Sequence, residues 1–311
     1  MAACNNLRPS SNRLVDFDQR AISGSPNDDR TRSVMGGDEV PQIITESTSI
    51  DYDIHGEGPP LILINGLGFG RWAWFKQTPA FSRHFSTVTF DVRGERGLPN
   101  GVADLSAEVV KLLDYLGIER THVLGTSLGG FVAQELALER PDLVDRLVLV
   151  CTSYGAKGPE SLSPWALKDM IGWPSLTIEG ATRRGLQTAT SEAYRAERPE
   201  EFEQIVRWRL ADSPSLSDYY QQARAGAQFD VSRTVGSITS KTLVIHGGED
   251  RYVPLANAAA LAEAIPDAKL RVLADAGHLV FIERFADINR EVVVYLKSRN
   301  PQQKPQQKLL V

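Results

Sequence analysis

The chain alternates short, continuously apolar runs with longer stretches whose apolar residues recur every three or four positions. The continuous runs cover residues 61–64, 87–90, 122–124, 147–150, 243–245 and 270–273. Runs of this kind are typical of parallel strands that are covered on both faces. Two earlier segments, 43–45 and 49–54, alternate more and predict an opening hairpin.

The stretches between several of these runs carry a helical period. One stretch has apolar residues at Leu105, Val109, Leu112 and Leu116, and another covers 131–138. Repetition of strand, helix and strand indicates an α/β fold, with a mainly parallel central sheet and helices on both of its faces.

One interval interrupts this rhythm and divides the chain. Residues 156–233 contain no convincing strand and many aromatic residues, so they predict a helical cap inserted between two sheet strands. The core is then formed by 41–155 and 234–298. We expect 1–40 to be a flexible leader and 299–311 a flexible tail, because neither has a helical or strand period.

Composition and charge narrow the range of partners. The 311 residues are 42% hydrophobic and 23% charged, with a formal net charge of −5, which is ordinary for a globular protein. The mild acidity gives no reason to expect nucleic acid, and no apolar run is long enough for a membrane span. The two cysteines, Cys4 and Cys151, form no disulfide framework. We expect a cytoplasmic protein, as a monomer or homodimer, with a small-molecule ligand.

Ser127 is the candidate nucleophile. It lies in Gly-Thr-Ser-Leu-Gly, residues 125–129, between a predicted strand and a predicted helix. A serine on so sharp a turn is presented at the carboxyl edge of the sheet, and the small residues two positions away on either side prevent clashes. The alternative is a serine that only caps an ordinary helix.

His278 is the candidate base, because a serine hydroxyl needs a neighbouring group to remove its proton. It follows the last predicted strand, at the sheet edge where Ser127 is expected. The alternative is a histidine that only starts the next helix.

Asp250 is the candidate carboxylate that would orient His278, since it follows the strand 243–245 and precedes a helix opened by Pro254. Glu249 and Asp275 are its rivals, and Asp250 itself could be only a turn residue. The chain order serine, aspartate, histidine is the order that accompanies this type of turn.

These residues give the sequence from 41 to 298 a resemblance to enzymes of the α/β-hydrolase fold. The segments that carry it are 65–68, 91–94, 125–130, 247–254 and 277–278. In detail it is similar to the branch that contains small-molecule esterases, enol-lactonases and cofactor-free haloperoxidases, whose members carry a helical cap.

The resemblance implies that Ser127 attacks an acyl carbonyl, that His278 acts as base and then acid, and that Asp250 orients it. It also implies that the backbone N–H groups of Leu67 and Leu128 hold the oxyanion, without metal or organic cofactor. Asn65 stands where many relatives have histidine, and both Glu95 and Arg96 precede Gly97, where relatives usually have one residue.

The expected reaction is hydrolysis of a small carboxylic ester or lactone. The aromatic residues Trp72, Trp165 and Trp173 are candidates for lining the substrate pocket, although each could equally join the cap to the core. Perhydrolysis, thioester hydrolysis and carbon–carbon bond hydrolysis on the same three residues remain alternatives, as does a non-catalytic receptor of the same fold.

Overall fold

The computed structural model describes residues 41–44, 48–93, 101–155, 157–160 and 177–298. The eight strands are β1 (Gln42–Ile44), β2 (Ser49–His55), β3 (Pro60–Ile64), β4 (Ser86–Arg93), β5 (Thr121–Thr126), β6 (Val144–Val150), β7 (Lys241–Gly247) and β8 (Lys269–Leu273). The helices are α1 (Thr78–Phe81), α2 (Val102–Tyr115), α3 (Leu128–Glu139), α4 (Ile178–Ala189), α5 (Glu192–Glu197), α6 (Pro199–Ala211), α7 (Leu216–Gln228), α8 (Leu255–Ala264), α9 (Val280–Glu283) and α10 (Phe285–Lys297). Every strand predicted in the described residues is present.

The strands form one sheet in the order β1-β2-β4-β3-β5-β6-β7-β8. The first two pairings, β1 with β2 and β2 with β4, are antiparallel, and all the others are parallel. The predicted mainly parallel sheet is therefore confirmed. Because β3 and β5 to β8 run in the same direction, the loops that follow them meet at one edge.

Both faces of the sheet are buried along its central strands, β3 to β7, which explains the continuous apolar runs there. The prediction that the run 270–273 is covered on both faces is wrong, because β8 is an edge strand in which Leu270 is 40% exposed. Ile62 and Ile64 of β3 pack on one face with α2 and α3, whereas Leu61 and Leu63 pack on the other with α10. Alternate side chains of a strand point to opposite faces, so a strand covered on both sides needs apolar residues at every position.

Helices α4 to α7 fill the described part of the interval between β6 and β7. The helical content predicted there is present, and residues 161–176 lie outside the described residues. That these helices form a separate cap stays a prediction. The predicted leader at 1–40 and the predicted tail at 299–311 lie outside the described residues. Among the described helices, none is both long and apolar enough to cross a membrane.

Candidate active site

Ser127 occupies a strained turn between β5 and α3. Its φ of 52° and ψ of −116° lie in a region that residues with a side chain rarely adopt. Its backbone N–H donates to the carbonyl of Val150 at the end of β6, and its carbonyl accepts from Gly130. Strain of this kind persists only where the surrounding structure fixes it, and it is common at catalytic positions.

Close packing explains the glycines on either side of this turn. A Cβ placed on Gly125 would lie 2.2 Å from the carbonyl oxygen of Gly129, and one on Gly129 would lie 2.2 Å from the oxygen of Ile64. Because backbone atoms cannot move aside as a flexible side chain can, both positions require glycine. The tight approach brings the first turn of α3 against the end of β3.

The loop after β3 passes directly over Ser127. A Cβ on Gly66 would lie 3.3 Å from the Cβ of Ser127, and Leu67 is the next residue along this loop. Leu128 is the first residue of α3, where backbone N–H groups have no partner within the helix. These two amides are the expected oxyanion donors.

His278 and Asp250 form a hydrogen-bonded pair at the same edge. Nδ1 of His278 lies 2.8 Å from Oδ2 of Asp250. Since a carboxylate only accepts, Nδ1 carries the proton, and Nε2 of the neutral ring is left as an acceptor. This is the tautomer that a general base requires.

The carboxylate of Asp250 is buried, with none of its side chain exposed. Its Oδ1 accepts from the backbone N–H groups of Tyr252 and Val253, at 2.8 and 2.9 Å. Burial raises the pKa of this carboxyl, but the charge and hydrogen bond of His278, together with His246, outweigh burial and hold the pKa below its usual value. Asp250 is therefore ionised at neutral pH.

His246 lies beside the pair, with its Nε2 3.5 Å from Oδ2 of Asp250, but its hydrogen bond is made to another group. It is fully buried, and its Nε2 donates to the carbonyl of Val253 at 2.9 Å. Burial lowers its pKa, which keeps the ring neutral. His246 thus fixes the loop that carries Asp250, and it leaves the 2.8 Å hydrogen bond between His278 and Asp250 in place.

Cys151 joins the serine turn to the pair. It follows Val150, which binds the N–H of Ser127, and its sulfur and the ligand atoms of Asp250 and His278 all lie within 4.8 Å of one another. Burial, reinforced by the charge of Asp250, raises the pKa of its thiol well above the usual value. A thiol that stays protonated is a poor nucleophile, so the arrangement favours Ser127 over Cys151.

The rivals of Asp250 lie apart from the histidine. Asp275 is exposed and forms an ion pair with Arg284. Glu249 is exposed and contributes only its backbone N–H, which donates to the carbonyl of Ala276. Neither carboxylate forms a hydrogen bond with the imidazole of His278.

Helices α4 and α7 bind two of the loops at this edge, the loop after β7 and the loop after β3. The sequence did not predict either contact. The Tyr252 ring packs on His278 with centroids 5.2 Å apart, and its hydroxyl donates to the carbonyl of Gly185 in α4. Gln222 of α7 accepts the N–H of Gly68 at 3.0 Å. Both contacts join residues more than 60 positions apart, and a single sequence carries no signal for such pairs.

The predicted pocket aromatics are only partly described. Trp72 packs on Phe69 and Trp208, with ring centroids 5.4 and 6.0 Å away. These contacts join the loop after β3 to α6, and contact with substrate stays a prediction. Trp165 and Trp173 lie outside the described residues.

A cavity of about 360 Å³ adjoins the serine turn. Its floor is apolar and includes Ile64 and Leu128, and its rim carries the carboxylates of Asp91, Asp212 and Asp218. Two cationic side chains lie next to its lining: Arg71 forms an ion pair with Asp91, and the guanidinium of Arg209 packs against Gly68. A larger cavity, of about 580 Å³, lies between α2, α3 and the end of α7 and is lined by none of the candidate catalytic residues.

A model of the α/β-hydrolase fold family matches residues 59–285, which include Ser127, Asp250 and His278. The chain belongs to the α/β-hydrolase fold family. The resemblance inferred from the sequence is confirmed.

Several relatives of this α/β hydrolase show the range of reactions in the family. It is 28% identical to a putative carbamate hydrolase of Stutzerimonas stutzeri over 79% of this chain and 96% of that protein. It is 29% identical to a 2-hydroxy-6-oxo-6-phenylhexa-2,4-dienoate hydrolase of Comamonas testosteroni, over 82% and 95%. The crystal structure of an enol-lactonase from Burkholderia xenovorans superposes with a TM-score of 0.72 at 27% identity, over 83% of this chain and 100% of that one.

Proposed function

We propose that this α/β hydrolase is a serine hydrolase that cleaves small carboxylic esters or lactones through an acyl-enzyme. The observation that carries the proposal is the hydrogen bond between Nδ1 of His278 and Asp250, at the sheet edge where the strained turn carries Ser127, because it makes Nε2 the acceptor of a neutral ring. That arrangement supplies a base beside an alcohol, as acyl transfer requires.

Each step uses a group with a defined position. Nε2 of His278 takes the proton of the Ser127 hydroxyl as its oxygen attacks the carbonyl carbon. The negative charge that develops on the carbonyl oxygen is held by the N–H groups of Leu67 and Leu128. The imidazolium, stabilised by Asp250, then protonates the leaving alcohol, and water repeats the sequence on the acyl-enzyme.

We propose further that helices α4 to α7, with the rest of 156–233, form the cap over this site. Its support is that Tyr252 and Gln222 join two of the loops at the sheet edge to α4 and α7. A cap attached in this way would exclude water from the site.

The direct test is a serine-reactive fluorophosphonate followed by peptide mass analysis. We expect one phosphonyl group per chain, located on Ser127, together with turnover of 4-nitrophenyl acetate. A panel that also contains a carbamate, a lactone and a 2-hydroxy-6-oxo-dienoate distinguishes the alternatives by their products. Labelling at another residue, or none, would contradict the proposal.

The charge of the cavity beside Ser127 predicts a preference among esters. We propose that the cavity holds the acyl chain, and the carboxylate of Asp218 on its rim disfavours a second carboxylate there. We expect kcat/KM for 4-nitrophenyl butyrate to exceed that for mono-4-nitrophenyl succinate by at least about tenfold at low salt, equivalent to ~1.4 kcal/mol.

Two controls test the electrostatic origin of this preference. The ratio should shrink in high salt, because screening weakens charge repulsion. It should also shrink in Asp218→Asn, which removes one rim charge. Equal rates for the two esters at low salt, or a preference for the succinate, would contradict this assignment of the cavity.

A further inference from the structure

Glu283 has an unusual environment for a carboxylate. It ends α9 five residues after His278, and only 6% of its surface is exposed. Oε1 accepts the backbone N–H of Gly277 at 3.0 Å, and Oε2 accepts the N–H of Ser191 at 3.1 Å. One carboxylate therefore joins the loop of His278 to the junction between α4 and α5.

The loop that carries His278 also binds the α4–α5 junction through the residue that follows the histidine. The N–H of Leu279 donates to the carbonyl of Ala189 at 2.9 Å. A Cβ on Gly277 would lie 2.8 Å from that same carbonyl oxygen and 3.1 Å from Oε1 of Glu283. The residues before and after His278 are thus both held, and little space remains for the loop to shift.

The choice of a carboxylate is informative because burying one is costly. Burial raises the pKa of Glu283, whereas the bonds from Ser191 and Gly277 lower it, and burial prevails. An apolar side chain in this position would leave two buried amide groups without acceptors, which would destabilise the folded protein. A carboxylate is the one side chain of this length that accepts from two amides with two separate oxygens.

We propose that Glu283 is a positioning residue that fixes His278 at the sheet edge of Ser127 by fastening the histidine loop to the α4–α5 junction. The inference rests on the proposed function for its kinetic consequences. Its structural consequence, a constrained pair of His278 and Asp250, does not depend on turnover.

The variants for the test are Glu283→Ala, Glu283→Gln and, as control, Glu249→Gln. Glutamine keeps one acceptor oxygen but turns an NH₂ group toward the other amide, so it should be intermediate. Glu249 is an exposed carboxylate beside the same loop, with no recorded side-chain bond to it. Its replacement removes a nearby charge and leaves the loop fastened.

We expect kcat for 4-nitrophenyl acetate to fall about 100-fold in the alanine variant and about tenfold in the glutamine variant, because a displacement near 1 Å has an effect of this size. KM should change by less than about threefold, since substrate binding is not altered. Glu249→Gln should match the wild type in both constants.

A spectroscopic measurement separates positioning from simple stabilisation. The proton shared by Nδ1 of His278 and Asp250 should give a low-field NMR signal, recorded well below the unfolding temperature of each protein. We expect it to shift or broaden in both Glu283 variants and to stay unchanged in Glu249→Gln. If the alanine variant does not fold, the glutamine variant carries the test.

The outcomes are distinct. A lower unfolding temperature with unchanged kcat and an unchanged signal would make Glu283 only structural and overturn the inference. If the wild type neither turns over the ester nor reacts with the fluorophosphonate, the proposed function fails, and the NMR signal alone decides on Glu283. Equal losses in Glu249→Gln would also overturn the inference, because they would trace the effect to charge.

Discussion

Ser127→Ala is expected to lower turnover of 4-nitrophenyl acetate by about 10⁶-fold, the loss typical when the nucleophile of a serine triad is removed. The residual rate would come from the oxyanion donors and substrate binding alone. Fluorophosphonate labelling should disappear in parallel. The measurement is steady-state kinetics on protein shown to be folded by circular dichroism.

A matched control serine is available in α2. Ser106 is fully buried, and its hydroxyl has no partner among the described residues, so Ser106→Ala should keep the wild-type rate. Retained turnover in Ser127→Ala would dismiss Ser127 as nucleophile. The control also shows whether removal of a buried serine hydroxyl away from the site disturbs the fold.

Backbone strain at Ser127 predicts that two inactive variants of this residue differ in stability. Ser127 is held at a φ of 52°, a conformation that costs a residue with a side chain about 1–3 kcal/mol and glycine almost nothing. Ser127→Gly should therefore unfold at a higher urea concentration than Ser127→Ala, although both are inactive. The comparison isolates backbone strain, since both variants lack the hydroxyl.

The fold was predictable from the sequence because its signals are local. Strands β3 to β7 contribute buried apolar residues to both faces of the sheet, and each predicted run in the described residues is a strand, including the more exposed β8. The turn at Ser127 is also a local signal, because the glycines at 125 and 129 are required by contacts with neighbouring backbone. Strand direction then places Ser127, Asp250 and His278 at one edge without knowledge of any side-chain contact.

The contacts that hold the site were not predictable, because each depends on two distant segments. Gln222 lies 154 residues from Gly68, and Glu283 lies 92 residues from Ser191. A glutamine in an exposed helix, or a glutamate after the apolar run 279–282, has many ordinary explanations in a sequence. The one local signal for Glu283 was a charged residue that directly follows four apolar ones.

Taken together, these contacts divide the support of the site between the α4–α5 junction and α7. The α4–α5 junction holds the histidine loop through Glu283 and Ala189, while α7 holds the loop of Leu67 through Gln222. The base and one of the expected oxyanion donors are therefore fastened to different parts of the segment between β6 and β7. Movement of that segment would alter both.

Asp250→Asn is expected to lower kcat by about 10⁴-fold, the effect seen when the corresponding aspartate of a serine protease becomes asparagine. The amide oxygen can still accept from Tyr252 and Val253, but the NH₂ group then faces Nδ1 of His278. The imidazole must turn its lone pair to that group and carry its proton on Nε2, so it no longer accepts the proton of Ser127. Asp275→Asn and Glu249→Gln are the matched controls and should keep the wild-type rate.

Stability should respond to the same substitution in a pH-dependent way. The pKa of Asp250 lies below its usual value in the folded protein, so on acidification the unfolded chain binds the proton first, and the free energy of unfolding falls below about pH 4. Asparagine cannot take up that proton. Urea unfolding should therefore show the largest difference between wild type and Asp250→Asn at neutral pH and a smaller one as the pH approaches 3. A difference that stays constant across this range would mean that Asp250 is not held ionised by His278, and the orientation assigned to the histidine would lose its support.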